Sequence, residues 1–327
     1  MIFTNETPFP AELYRAAGEG ERMYASLLVR AVYALPISGT LRLREAQPGD
    51  VRREADPRPH GALPADGLLH PRGTDVVVLG DAVAAPGGQR EGEVRIDAGP
   101  YVARLKIVGD RRWVRGASGE LRASAPEGWE RIPLTWARAF GGAASGPVGP
   151  APWPDNPEGR GYHLSEAQAE GAPLPNVEDP QAPLTTWQGR PTPVGCAPYP
   201  ASWGLRVAPM IEVHVEGGRP EARLRSERAL SSIAAPALSG QALGPGDEAR
   251  LTGVHEAGPL RFRLPPAPAE AEISLGGGQW RRAPSPSLLV VDLHRGEVEL
   301  SWRYRFDYGL RPGQRRRLRL LPAAGAP

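Results

Sequence analysis

Apolar and polar residues alternate most cleanly over residues 297–306. There Val298, Leu300, Trp302, Tyr304 and Phe306 interleave with Glu299, Ser301, Arg303 and Arg305. A period of two puts successive side chains on opposite faces, so the segment predicts an antiparallel strand with one buried and one solvated face. Residues 211–216 repeat the pattern with His214 on the polar side. Leu27, Val29, Ala31, Tyr33 and Leu35 mark an early strand that Pro36 stops, because proline has no N–H to donate. The wholly apolar run 76–79 predicts a strand covered on both faces. Residues 94–96 and 101–108 flank Asp97-Ala98-Gly99-Pro100, which reads as a hairpin connection.

Helical signals are few. Ser165-Glu166-Ala167-Gln168 fits a capping box, and Gly171 ends that helix after about two turns. A second short helix is expected over 226–235. Residues 46–73 and 143–206 are dense in proline and glycine. The second stretch is too long for a plain connector, so it packs across the surface or carries function. The expected architecture is mainly β, with sandwich-like antiparallel sheets, long ordered loops and a few short helices. A soft boundary near 206 separates an N-terminal β-rich region (1–205) from a C-terminal one (206–327), or the two form one compact unit.

Composition narrows the function classes. Glycine (40) and proline (38) supply 78 of the 327 residues, near the low-complexity range, yet eight tryptophans and clear strand patterns indicate an ordered, loop-rich chain. A net charge of +2 favours neither nucleic acid nor an anionic membrane. Lys106 is the sole lysine, so nearly all basic charge is arginine, the better partner for carboxylates at interfaces. A GC-rich coding sequence is a better explanation of that bias than selection for an arginine-based interface. Cys196 stands alone, which excludes an intrachain disulfide and a multi-cysteine zinc site. No apolar run approaches the roughly 20 residues of a membrane span and no signal segment opens the chain, so a cytoplasmic location is expected.

Catalytic and cofactor signatures are incomplete. No Gly-Lys-Ser/Thr phosphate loop occurs, and Gly159-Arg160-Gly161 lacks the third glycine of a dinucleotide loop. His255-Glu256 begins like a zincin helix but runs into Gly258-Pro259. The six histidines are scattered without ligand spacing, so surface or structural roles are expected, with neither metal nor cofactor. Ser145 has no nucleophile-elbow context, and nothing near Cys196 would activate a thiolate. Asp75, Asp81 and Asp110 lie beside strands and could supply a carboxylate pair for glycoside hydrolysis, or serve as turn and strand-end acceptors. Arg111-Arg112-Trp113 suits stacking or a grip on a carboxylate. Arg315-Arg316-Arg317 and Arg319 suit a charged, solvated strand edge.

One ordered string of motifs carries more. Thr74-Asp75-Val76-Val77-Val78-Leu79-Gly80 leads to Val108-Gly109-Asp110-Arg111-Arg112-Trp113, then Ile132-Pro133-Leu134 and Arg138-Ala139-Phe140-Gly141-Gly142. Asp155-Asn156-Pro157-Glu158-Gly159 and Leu174-Pro175-Asn176 complete it. With Asn5-Glu6-Thr7-Pro8-Phe9, Leu69-His70-Pro71-Arg72 and the Trp302-Arg303 strand, the string resembles the domain of unknown function 2169 family of bacterial proteins associated with type VI secretion. That resemblance implies a cytoplasmic, non-enzymatic adaptor or chaperone. Its partners would be a toxic effector, the VgrG spike and a PAAR or PAAR-like tip, without nucleic acid or membrane insertion. A middle segment that the family carries before its C-terminal region is shortened here around Trp203. Asp75, Asp110, Arg111, Trp113, Arg138, Phe140, Gly141, Gly142, Asn156, Pro157, Gly159 and Asn176 are the candidate contact or framework residues. The remaining alternatives are a carboxylate-based hydrolase, or a carbohydrate- or small-ligand-binding β-sandwich with Trp129, Trp153 or Trp187 lining a groove.

Overall fold

Strand-forming sequence becomes three multi-stranded sheets in the computed structural model. It describes residues 1–17, 22–44, 50–68, 73–200, 203–204, 211–216, 219–224, 232–275, 278–282, 284–309 and 316–323. The first sheet has six strands. Its main path runs Ala11–Ala17, Arg22–Ala34, Glu297–Gly309, Ser285–Asp292, Asp75–Leu79, with Arg42–Leu43 paired to the end of Arg22–Ala34. The second orders Val177–Glu178, Tyr101–Val108, Glu91–Ala98, Glu248–Thr252, Leu260–Arg263, Ser38–Thr40. The third orders Ile2–Asn5, Arg316–Pro322, Ala269–Leu275, Gly278–Arg282. All three combine strands from before and after residue 205. One continuous apolar cluster joins them, including Leu27 and Val290 of the first sheet, Ile96 and Phe262 of the second, and Ala271 and Leu318 of the third.

The expected β-rich fold is found, and its sheets are mixed as well as antiparallel. Asp75–Leu79 runs parallel to Ser285–Asp292, Leu260–Arg263 to Ser38–Thr40, and Ile2–Asn5 to Arg316–Pro322. Asp75–Leu79 is buried along its whole length, as its unbroken apolar run requires. The hairpin between Glu91–Ala98 and Tyr101–Val108 turns on two residues, with Gly99 at φ 52°. The capping-box helix is shorter than expected, a single turn over Glu166–Ala169, with Ser165 Oγ accepting from Gln168 N. The helix expected at 226–235 falls largely outside the described residues.

Two polar readings need correction. The polar face of Glu297–Gly309 is not solvated: Glu299, Ser301 and Arg303 are buried, as are Leu300 and Trp302 on the other face. Side chains from residues 50–68 meet that face, and their charges are paired. Arg52 binds Asp66 at 2.7 Å and also Glu299, while Arg58 reaches Asp292 at 2.6 Å, Glu299 at 2.9 Å and Asp56. Arg30 lies 3.9 Å from both Asp66 and Glu299, and Arg303 donates to the Asp66 carbonyl and to Ser26 Oγ. Four buried guanidiniums thus share this layer with four carboxylates, Arg303 through a carbonyl and a hydroxyl, and half-exposed Arg295 stands 4.0 Å from Asp56 and Asp292 at its rim. Burial alone would raise the Glu299 pKa, but Arg52, Arg30 and Arg58 outweigh it and hold the carboxyl below its usual range. The arginine-rich C-terminal strand is likewise not an edge. Arg316–Pro322 lies between two partners, and Arg319 binds Glu6 at 2.7 Å and Glu272 at 3.0 Å.

Candidate functional site

Most of the motif residues converge on one end of the strand Tyr101–Val108. Asn176 is the hub and is fully buried. Its Nδ2 donates to Val108 O and to Asp110 Oδ1, each at 2.9 Å. Its Oδ1 accepts from Arg138 Nη1 at 3.1 Å and from Arg160 Nη1 at 3.4 Å. Its backbone N donates to Arg138 O at 2.8 Å, and its carbonyl accepts from Val108 N at 2.9 Å. An amide that is both donor and acceptor can tie a strand end, a carboxylate and two guanidiniums together, which explains the residue type.

Beside this hub, Phe140-Gly141-Gly142 packs against Asn156-Pro157-Glu158-Gly159. Gly141 has φ 140°, and a Cβ there would lie 2.1 Å from Asn156 O; at Gly142, φ 97°, it would lie 2.5 Å from Gly159 O. Asn156 Nδ2 donates to Trp136 O at 2.8 Å and Phe140 O at 2.9 Å, closing the loop from the other side. Pro157 and Gly159 occupy the second and fourth positions of a turn, where each is favoured.

Arg111 and Trp113 point inward. Arg111 Nη2 donates to Pro175 O and to Glu178 Oε1, both at 2.9 Å. Burial nevertheless pushes the Glu178 carboxyl above its usual range. Trp113 is 0% exposed and, with Phe140, Ala169, Leu174 and Leu184, forms a satellite core flanked by Trp153, Tyr162 and Trp187. Asp75 stands apart at the start of its strand. Its carboxylate accepts from Ser232 Oγ, Ser239 Oγ and Ile233 N at 2.7–3.0 Å, pinning residues 232–239 to the sheet. Within the knot, the Asp110 side chain is the most exposed of the charged members and Arg138 is partly exposed.

Where the knot ends, a stretch of sheet edge begins that no described strand pairs. Beyond Val108 and Asn176, Val177–Glu178 pairs with Ile107 and Lys106 alone. Alternate residues of a strand direct N–H and C=O to the same side, and Val108 N points to the outer side. Val102 and Arg104 therefore present their main-chain groups outward, and no described residue hydrogen-bonds to them from that side. A groove of about 540 Å³ runs along this edge. Its other walls are Asp179-Pro180-Gln181, residues 192–195 and residues 235–237. Val102 is 52% exposed, and Arg104 beside it has no carboxylate partner among the described residues.

The residues weighed for other chemistries occupy separate settings. Asp75 is enclosed by its donors, Asp81 meets His60 at 2.8 Å, and Asp110 is held by Asn176; none of the three lines this groove. Trp129 is buried in the main core, while Trp153 and Trp187 are half-buried against the satellite core. Cys196 is buried, its thiol pushed up to about 12. The open edge had a legible signal, since Val102 is the one β-branched apolar residue among Arg104 and Lys106 on the outer face. The meeting of His60 with His294 had none, because 234 residues separate them.

Among the described residues no helix is long and apolar enough to cross a membrane. The model of a family described as "Uncharacterized protein conserved in bacteria (DUF2169)" matches residues 19–303, most of the chain. No curated protein and no solved structure matches.

Proposed function

The chain belongs to the DUF2169 family, and from that premise we propose that it is a non-enzymatic adaptor. In this reading it binds a type VI secretion effector in the cytoplasm and helps load it onto the VgrG spike through a PAAR or PAAR-like tip. The observation that carries the reading is the open edge at Val102 and Arg104 beside the groove. An adaptor must hold another chain without altering it covalently, and pairing of an added strand with a free sheet edge does so through main-chain hydrogen bonds. The occupant that fits is an extended effector segment, with an acidic residue placed to meet Arg104. The knot of Asp110, Arg138, Arg160 and Asn176 then acts as framework, fixing the strand whose edge is presented.

Co-expression with the product of the adjacent gene, followed by a native mass measurement, tests the proposal. A stoichiometric complex that keeps the neighbour soluble is expected. Val102→Pro removes one outward N–H without breaking the ladder to Glu91–Ala98, as proline permits on an edge, and should weaken the complex at least about tenfold. A complex untouched by this substitution would exclude the edge as the docking site. Failure of the intact chain to bind any spike-linked partner would exclude the adaptor role itself.

A further inference from the structure

Three side chains from distant parts of the sequence converge at the ends of two parallel strands. Asp75–Leu79 and Ser285–Asp292 run side by side with Leu79 opposite Asp292. Leu293 N donates to Leu79 O at 2.9 Å, and a Cβ on Gly80 would meet Leu293 Cδ1 at 2.5 Å. Two residues past that last matched pair, the register brings Asp81 beside His294. His60 arrives from the segment that crosses the sheet, where Arg58 is tied to Asp56, Asp292 and Glu299. The His60 and His294 rings stack at 4.4 Å with their Nε2 atoms 3.5 Å apart, and His60 Nε2 lies 2.8 Å from Asp81 Oδ1. All three ligand atoms fall within 4.8 Å of one another.

We propose that His60 Nε2, His294 Nε2 and Asp81 Oδ1 form a three-ligand site for a divalent transition ion of the zinc class, with the fourth position open to solvent. Zinc bonds imidazole nitrogen at about 2.0–2.1 Å in tetrahedral geometry, which separates two ligand atoms by about 3.3–3.4 Å. The two histidine nitrogens already stand at nearly that spacing, and the exposed His294 ring has to turn out of its stack on His60 so that both in-plane lone pairs aim at the ion. Asp81 is only half-buried, and its Oδ1 has to retreat from His60 Nε2 by about half an ångström while His294 closes on it from within 4.8 Å. Hydrogen bonding alone serves this convergence poorly. Each ring nitrogen carries at most one proton, so His60 Nε2 can donate to Asp81 or to His294, whereas a cation satisfies all three atoms together.

Two neutral imidazoles and one carboxylate carry a single negative charge, suited to a divalent cation. The nearby guanidiniums of Arg58 and Arg295 face the carboxylates of Asp56 and Asp292, which offset them. Backbone supports are in place as well. Asp292 Oδ1 accepts from the backbone N of His294 at 3.1 Å and of Arg295 at 3.0 Å, fixing the turn that presents His294. The Nδ1 atom of His60 is buried without a partner, so Nε2 makes all of that ring's polar contacts with described residues. Sequence spacing had indicated no ligand pair, because the parallel register that makes one is invisible in the sequence.

The test uses the full chain, stripped with a chelator and titrated with Zn²⁺ against a competing chromophoric chelator. Co²⁺ is then added as a spectroscopic substitute. One equivalent of Zn²⁺ is expected to bind, with tetrahedral-type visible bands for Co²⁺ and a melting temperature that rises with zinc concentration. His294 is exposed, so His294→Ala should leave the fold intact while weakening binding at least about tenfold; Asp81→Asn should act in the same direction. Absence of saturable binding to the intact chain would overturn the proposal and leave a hydrogen-bonded His–Asp–His cluster. Undiminished affinity in His294→Ala would overturn it equally, since the metal would then sit elsewhere.

Discussion

Replacing Glu299 with glutamine tests whether the charged layer over the first sheet is as dry as its geometry indicates. Glu299 is 4% exposed and faces Arg30, Arg52 and Arg58. Four carboxylates offset four buried guanidiniums there, with half-exposed Arg295 at the rim, so the substitution adds one uncompensated positive charge under residues 50–68. Removing one member of a buried pair costs about 3–5 kcal/mol, because the partner keeps its desolvation and loses its counter-charge. Against a typical folding free energy of about 5–15 kcal/mol, such a loss is large. Equilibrium urea denaturation followed by tryptophan fluorescence reads it directly. The double variant Arg52→Met/Glu299→Gln restores a balance of three against three, and should be more stable than the two single effects summed, by about 0.5–3 kcal/mol. A loss below about 1 kcal/mol in Glu299→Gln, the range of exposed pairs, would refute the reasoning. Water would then reach the network and residues 50–68 would not seal it.

Three further outcomes follow from the same structure. The Glu299 pKa is depressed on folding, so its contribution is present above the unfolded carboxylate value of about 4.3 and is lost as pH falls through the lower folded value. The stability gap between the native chain and Glu299→Gln should therefore narrow in acid; a gap constant from pH 7 to about pH 3 would contradict this. Gly141→Ala forces a left-handed backbone on a side chain and drives Cβ toward Asn156 O, so it should cost more than the roughly 1–3 kcal/mol of backbone strain alone, read as a fall in the urea midpoint. With its thiol pushed up to about 12 by burial, Cys196 should resist alkylation in the native chain and react readily in denaturant, and rapid native labelling would count against its placement.

What could be read from the chain was what local physics determines. Alternation locates the strand around residues 297–306 and its apolar face, because side-chain direction depends only on neighbouring residues. It misassigns the polar face, because whether Glu299 is wet depends on Arg52 and Arg58, 247 and 241 residues away. The Phe140-Gly141-Gly142 and Asn156-Pro157 motifs are recognisable as tight-loop chemistry for the same local reason, yet their mutual packing appears only in three dimensions. Asp75, Asp110 and Asn176 are neighbours in the motif string but not in space: Asp110 and Asn176 share one knot, while Asp75 clamps a different segment.

The same distinction explains why the two proposed sites differ so much in visibility. The open edge depends on one strand and one short partner, both of which lie within 80 residues of each other in the chain. The histidine cluster depends on a parallel pairing across 213 residues, from Asp75↔Leu288 to Leu79↔Asp292, and on a crossing segment that brings a third group. Parallel neighbours require a long connection, so their shared ends collect residues that no local spacing rule can associate. Among the described residues the parallel pairings are few, and one of them brings together two histidines and an aspartate. That is where chemistry beyond scaffolding should be sought first.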